Sequence, residues 1–273
     1  MLRRFSAIFA VFMLIYALLQ WGIGWHIRTW LAAVAGPGAG GWSFWIPFAL
    51  VAFAFPIGKM YSYRRDVPLA RMLTVAGSYW IAAMFYLILL LPPADLAAWL
   101  LGRFGGVERP AEAVGWVAAA LLAALMARGM ANARRPVARD YRIRLNKRAR
   151  GPKTLKIAVA SDLHLGAAVG RRQLKKLVRE MNAFEPDLVL LPGDIVDDDL
   201  RPFLDKGLPE LFRGLKARLG VYASPGNHDP FGGRHAREFA EAMAASGIRL
   251  LLDETVSAGG EATLIGRLDR SAR

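Results

Sequence analysis

Four apolar stretches, each near the roughly 20 residues a helix needs to cross the hydrocarbon layer of a bilayer, leave the first half of this chain little freedom in how it can fold. They run from about Phe5 to Trp25, Trp42 to Gly58, Ala70 to Leu91 and Ala113 to Met130. The spacing predicts four membrane-spanning helices, because in lipid only a helix or a closed barrel satisfies its own backbone polar groups. The second stretch is the shortest and holds Pro47 and Pro56, so a kinked or re-entrant segment is expected there. Trp21, Trp25, Trp30, Trp42, Trp45 and Trp99 stand toward the segment ends, the level at which amphipathic rings sit between water and lipid. Met1 to Arg4 ahead of the first apolar run also has the form of a signal-peptide n-region. The three later stretches keep the chain a membrane protein on either reading.

The charge agrees with membrane topology. Residues 1–150 hold 18 Lys and Arg against 5 Asp and Glu, while residues 151–273 hold 18 against 17, so the first half carries 13 of the 14 net positive charges. This excess clusters at the ends of apolar segments, which argues against a nucleic-acid partner. Arg3 and Arg4 precede the first segment, Arg28 stands alone in the first loop, and Lys59, Arg64, Arg65 and Arg71 mark the second. Arg103 and Arg109 lie in the third loop, and Arg134, Arg135, Arg139, Arg142, Arg144, Lys147, Arg148 and Arg150 follow the last segment. Cytoplasmic loops are the richer in basic residues, so both termini and the downstream domain are expected in the cytoplasm at the cell membrane. Residues 134–153 form a basic juxtamembrane linker, read either as a stop-transfer flank or as a surface for anionic lipid headgroups. Within it Val137, Tyr141, Ile143 and Leu145 alternate with polar residues, the pattern of a strand opening the next domain.

From Thr154 the hydrophobic period changes. LKIAVA (155–160), DLVLL (187–191) and VYA (221–223) read as buried strands, with further strands at 248–252 and 262–265. Residues 171–184, 202–219 and 237–245 read as helices, and this alternation predicts α/β packing with its chemistry at the carboxyl ends of the strands.

Each of the first three strands is followed by a compact polar cluster: SDLHLG with Asp162 and His164, PGDIVDDD with Asp194 and Asp197, and SPGNHDP with Asn227, His228 and Asp229. Singly, each is accounted for as a turn, a helix cap or a solvated loop. Together, at three successive strand ends, they supply the carboxylate, imidazole and amide donors of a divalent-metal site without sulfur. The absence of cysteine excludes thiolate ligands and Cys nucleophiles.

These blocks resemble the D-x-H, G-D-x-x-D and G-N-H-D motifs of the calcineurin-like metallophosphoesterases. They stand in that order as Asp162-Leu163-His164, Gly193 to Asp197 and Gly226 to Asp229, and LIGRLDR (264–270) is similar to a strand of the membrane-anchored bacterial branch. The resemblance implies two divalent metal ions of Mn, Fe or Zn type, with Asp162 and His164 on the first, Asp194 bridging both and Asn227 on the second. A metal-bridging hydroxide would then attack phosphorus in line. His228 would contact the phosphate and protonate the leaving oxygen, Asp229 would orient its imidazole, and Asp197 would support the loop. The implied fold is a four-helix transmembrane region (1–133), the linker (134–153) and a phosphoesterase domain (154–273), a mixed-sheet sandwich flanked by helices.

The implied activity is hydrolysis of a phosphomonoester, phosphodiester or pyrophosphate, with a phosphate-ester substrate that the membrane setting suggests is lipid-linked. The family completes its site with a later His and a G-H-x-H block, whereas the histidines here are His26, His164, His228 and His235. His235 reads as a surface residue and His26 as an interfacial one. The domain is therefore expected to lack its second half and to expose apolar surface near Leu250 to Leu252 or Ala262 to Ile265. The alternative function is an inactive, truncated membrane protein with a vestigial metal site.

Overall fold

A computed structural model describes residues 2–64, 67–146, 154–230 and 233–270. The chain divides into two units, 1–133 and 134–273.

The first unit is helical: α1 (Leu2–Ala35), α2 (Trp42–Ala52), α3 (Ala54–Arg64), α4 (Pro68–Phe104) and α5 (Pro110–Ala133). Three of these, α1, α4 and α5, are long and apolar enough to cross a membrane, and the count reaches four if α2 and α3, bent by 47° at their junction, form one span. The bend has a covalent cause. Pro56 has no N–H to return to the Ala52 carbonyl one turn earlier, and Tyr16 of α1 donates its hydroxyl to that carbonyl at 2.5 Å. Helix α4 runs past the expected end at Leu91, continuing through Pro92 and Pro93 to Phe104. Close packing of α3 on α4 depends on Gly77, where a Cβ would collide with the Phe55 backbone. Gln20 is buried, accepting from Trp80 Nε1 at 3.0 Å and donating to Met84 Sδ at 2.9 Å.

The second unit contains β1 (Ile157–Val159), α6 (Arg171–Ala183), β2 (Leu188–Pro192), α7 (Leu200–Asp205), α8 (Leu208–Phe212), β3 (Val221–Ser224), α9 (Gly233–Ala245), β4 (Ile248–Leu250), β5 (Glu254–Ala258) and β6 (Ala262–Gly266). Strands β1 to β4 pair in parallel in sequence order, with Val159 opposite Leu190, Leu191 opposite Ala223 and Ala223 opposite Leu250. Among the described residues antiparallel pairing, expected within a mixed sheet, is confined to the separate hairpin β5–β6.

Two sequence expectations need correction. Residues 202–219 do not form one helix: Gly207, at φ 57°, breaks it into α7 and α8, and Pro209 starts the second. Residues 137–146 are not a strand: among the described residues no edge pairs with them, and Val137, Tyr141, Ile143 and Leu145 are exposed. The remainder of the linker, 147–153, lies outside the described residues.

Strand order explains where the core sits. Successive right-handed crossovers that always step the same way put every connecting helix on one face of the sheet. Ala158, Val189, Leu191, Val221, Ala223 and Ile248 accordingly pack with Leu174, Val178, Phe203, Phe212, Phe239 and Met243 of the helices. The alternate residues Leu188, Leu190 and Tyr222 face the other way, against Leu219, Ala258, Ala262 and Leu264. The hairpin covers only part of that second face. Ile157 and Val159 are 47% and 60% exposed, as are Leu252 at 49% and Ile265 at 69%, which puts exposed apolar surface at the two places expected and also on β1.

Arg218 staples the hairpin to the sheet. Its guanidinium meets both oxygens of Glu261 in the β5–β6 turn at 2.5 and 2.9 Å and Asp187 at the start of β2 at 3.1 Å. The Lys156 N–H and then Arg218 hold Asp187 below its ordinary 3.8, and Arg218 holds Glu261 below its ordinary 4.5. Both folded values are depressed, so this stabilisation is fully present above the ordinary carboxylate range and is lost as pH falls through the lower folded values. Substituting Arg218→Met is expected to speed amide exchange across residues 254–266 while β2 and α6 stay protected. It should also flatten the acid dependence of exchange in the hairpin; unchanged exchange there would show that the apolar contacts alone hold it.

Candidate metal centre

The parallel register brings three loops to one edge of the sheet. Beyond β1 and β2 the two chains stay zipped: Asp162 N–H donates to Gly193 O at 3.2 Å, His164 N–H to Asp194 O at 2.9 Å and Leu165 N–H to Ile195 O at 2.9 Å. Asp197 N–H returns to Leu165 O at 3.1 Å. Asp162, His164 and Asp194 all adopt positive φ, at 55°, 43° and 52°. Such left-handed backbone is uncommon outside glycine and concentrates where a surrounding structure holds functional side chains in place.

The third loop enters at Gly226. A Cβ there would collide with the Asp194 carboxylate and backbone, so this position in SPGNHDP needs glycine for close approach. His228 N–H then donates to Asp194 Oδ1 at 3.0 Å. Asp229 is buried, at 2% exposure. Its carboxylate accepts from the N–H groups of Ile195 at 3.2 Å, Val196 at 2.8 Å and Gly226 at 2.9 Å. Burial pushes the Asp229 carboxyl up, and the three N–H donors oppose that rise.

The structure gathers most of the residues singled out in the sequence. Asp162, His164 and Asp194 each place one ligand atom within a set no more than 4.8 Å apart, and His164, Asp197 and His228 do the same. His164 belongs to both sets. Its Nε2 lies 3.9 Å from Asp194 Oδ2 and its Nδ1 3.8 Å from Asp197 Oδ1, separations too long for hydrogen bonds. The His164 and His228 rings meet edge to face with centroids 4.9 Å apart. Asn227 is exposed in the same loop.

The imidazole partner is Asp198, the middle residue of the acidic run 197–199. His228 Nδ1 lies 2.6 Å from Asp198 Oδ1, and this hydrogen bond is the main cause that raises the His228 pKa, with burial opposing it. Asp229, expected to orient that ring, directs its oxygens to backbone N–H groups. The three consecutive acids thus diverge: Asp197 approaches His164, Asp198 meets His228, and Asp199 caps α7 by accepting from Arg201 N–H at 3.0 Å. The motif spacing held no signal for Asp198; the acidic run itself was the only hint. His235 lies on α9 near Glu238 at 3.6 Å, and His26 lies on α1, 2.9 Å from Asp95. Neither is among these candidate ligand sets.

Carboxylate and imidazole donors without sulfur suit Mn, Fe or Zn. The backbone strain at the three donors and the glycine-only approach of the third loop fit a site built to hold cations.

Comparison with known proteins agrees with this geometry. Residues 155–256 match the family model described as calcineurin-like phosphoesterase. A transmembrane protein with metallophosphoesterase domain from Danio rerio is 34% identical over 110 residues, which take in 40% of this chain and 25% of the relative. The protein of the same description from Bos taurus is 30% identical over 182 residues, 63% of this chain and 39% of the relative. An uncharacterized metallophosphoesterase of Helicobacter pylori is 31% identical over 121 residues, 44% of this chain and 31% of the relative. The chain thus spans well under half the length of the curated relatives it matches. The Bos taurus match takes in more residues than 154–273 contain, so it extends upstream of the domain. No solved structure matches the chain.

Substituting Asp229→Ala would leave three backbone donors without their acceptor, at a cost of about 3 kcal/mol. Faster amide exchange is expected at Ile195, Val196 and Gly226 together with a lower melting temperature, whereas Asp198→Ala should leave both near the wild-type values. Equal losses in the two variants would contradict the division of labour between these carboxylates.

Proposed function

With a calcineurin-like metallophosphoesterase domain in residues 155–256 behind a set of apolar helices, we propose that this protein is a membrane-anchored, metal-dependent phosphoesterase. It hydrolyses a phosphomonoester, phosphodiester or pyrophosphate bond. Residues 1–133 act as the anchor, 134–153 as a basic linker against anionic headgroups, and 154–273 as the phosphoesterase domain. The carrying observation is the convergence of Asp162, His164 and Asp194 at the ends of parallel strands.

Asp162, His164, Asp194 and Asn227 would hold two divalent cations, the first three standing together at the strand ends. When bound, the cations polarise the phosphoryl oxygens and make water nucleophilic at neutral pH. The chain's own groups do the rest. Asp194 lies in the second loop, and its Oδ1 fixes the start of the third loop through His228 N–H. His228 donates a proton from Nε2 to the leaving oxygen, because Nδ1 is engaged with Asp198. General acid catalysis of this kind typically contributes about 10²–10⁴-fold. Asp229 works one step removed, keeping the second and third loops in register through the backbone.

The anchor makes a phosphate-bearing lipid or lipid-linked substrate the natural class. The transmembrane relatives and the upstream reach of the Bos taurus match support a membrane setting. Basic residues Lys59, Arg71 and Arg134 to Arg144 favour a cytoplasmic domain at the cell membrane.

The full-length protein in detergent should hydrolyse bis(p-nitrophenyl) phosphate with added Mn²⁺ and stop when the metal is chelated. Asp194→Ala is expected to abolish turnover. His228→Ala should lower kcat by about 10²-fold or more, most for poor leaving groups. Turnover that survives Asp194→Ala would overturn the assignment. No turnover together with weak metal binding would favour the inactive reading.

A further inference from the structure

One support of the metal centre lies outside the three sequence blocks that mark it. Lys206, the residue that follows α7, donates from Nζ to Gly166 O at 2.7 Å and to Ala167 O at 2.9 Å. Those two carbonyls stand two and three residues beyond His164 in the first loop. Bonds from an ammonium are charge-assisted, and so shorter and stronger than those between neutral groups.

The backbone that carries this side chain is itself held. Helix α7 starts from the second loop, where Asp199 caps it by accepting from Arg201 N–H, and Leu200 and Phe203 anchor it in the core beneath the sheet. At its other end Arg171 of α6 donates to Lys206 O at 2.6 Å and to Gly207 O at 2.9 Å. Lys206 thus reaches the first loop from a fixed element that begins directly after the acids of the second.

His164 is the residue for which such a hold matters. Its φ of 43° is left-handed, and a non-glycine residue stays there only where its surroundings over-determine the backbone. On the near side His164 N–H and Leu165 N–H are fixed by Asp194 O and Ile195 O. On the far side the chain turns at once, with Gly166 N–H donating to Val169 O at 2.9 Å, and the carbonyls of that turn are the ones Lys206 holds. A solvated, mobile head group is the ordinary reading of a lysine. Lys206 departs from it in being half-buried, with its ammonium on two consecutive main-chain carbonyls.

We propose that Lys206 is a positioning residue of the metal centre: by holding the Gly166 and Ala167 carbonyls it keeps His164 in the backbone conformation that brings its imidazole beside Asp194 and Asp197. It acts through the first loop, as an outer support that orients a ligand. The inference rests on the metal centre of the proposed function and adds to it a residue on which the ligand geometry depends.

The test uses the full chain in detergent, prepared metal-free, with the variants Lys206→Met, Lys206→Arg and Asn182→Ala. Asn182 ties the end of α6 to Gly214 O at 2.6 Å and Lys216 N–H at 2.9 Å, at the edge of the sheet opposite the three loops, so its loss lowers stability without reaching the first loop. Mn²⁺ affinity is read by titration calorimetry, and the metal-free proteins are compared by amide exchange and melting temperature. Lys206→Met is expected to weaken Mn²⁺ binding about tenfold, whereas Asn182→Ala should change it by less than about threefold. Lys206→Met should also speed exchange across residues 162–170 before any metal is added, and Lys206→Arg, which keeps a charged donor, should restore most of the affinity. Three results would overturn the proposal: wild-type Mn²⁺ affinity in Lys206→Met, unchanged exchange across 162–170, or an equal loss of affinity in Asn182→Ala, which would reduce the effect to general stability. A wild-type chain that binds no Mn²⁺ would remove the metal centre and this role together; a wild-type chain that binds it no better than Lys206→Met would remove this role alone.

Discussion

The Asp229 carboxylate ties together the parts of the second unit that matter for chemistry. Its oxygens accept from three N–H groups, two in the second loop and one in the third. Hydrogen bonds to a buried charged acceptor are among the stronger ones, and a buried carboxylate without them would be expensive. The clamp therefore fixes the second loop against the third. The first loop is held to the second by backbone bonds from Asp162, His164 and Leu165. All the proposed donor side chains stand on this three-loop framework, so their separations follow from the clamp and from strand register.

The same logic of freed and recaptured backbone groups governs the helical unit. Pro56 releases a carbonyl that the Tyr16 hydroxyl takes up, and the bend between α2 and α3 sits at that point. Away from water an unpaired carbonyl is costly, so a carbonyl freed by proline in an apolar helix is stabilised by a donor from a neighbour. Gln20, satisfied by Trp80 and Met84, follows the same rule for a side-chain amide.

Strand order has a consequence for the surface. Four parallel strands in sequence order send every crossover helix to one face, which gives that face a dense core and leaves the other to a two-stranded hairpin. Arg218 holds the hairpin at its turn by a bidentate contact, while Ile157 and Val159 on β1 remain exposed.

Much of this was legible in the sequence wherever the signal is local. Apolar runs of bilayer length mark α1, α4 and α5, period changes mark β1 to β4, and the blocks around Asp162, Asp194 and His228 mark the strand ends that converge. Local signals failed where a distant group decided the outcome. Gly207 in left-handed conformation split an expected helix, and the alternating residues near Tyr141 found no edge to pair with. Strand β5 emerged beside β6 without a strong pattern of its own. The imidazole partner is Asp198 rather than Asp229, whose oxygens meet backbone N–H groups, because a carboxylate's partner is set by which loop lies opposite it. The sequence by itself determined the membrane-length helices, the α/β order and the donor types, since hydrophobic length, period and chemistry are properties of neighbouring residues. Only the tertiary structure decided which acid holds the imidazole, which one holds the loops and which sheet face is left open, since those depend on register between segments that the chain brings together only on folding.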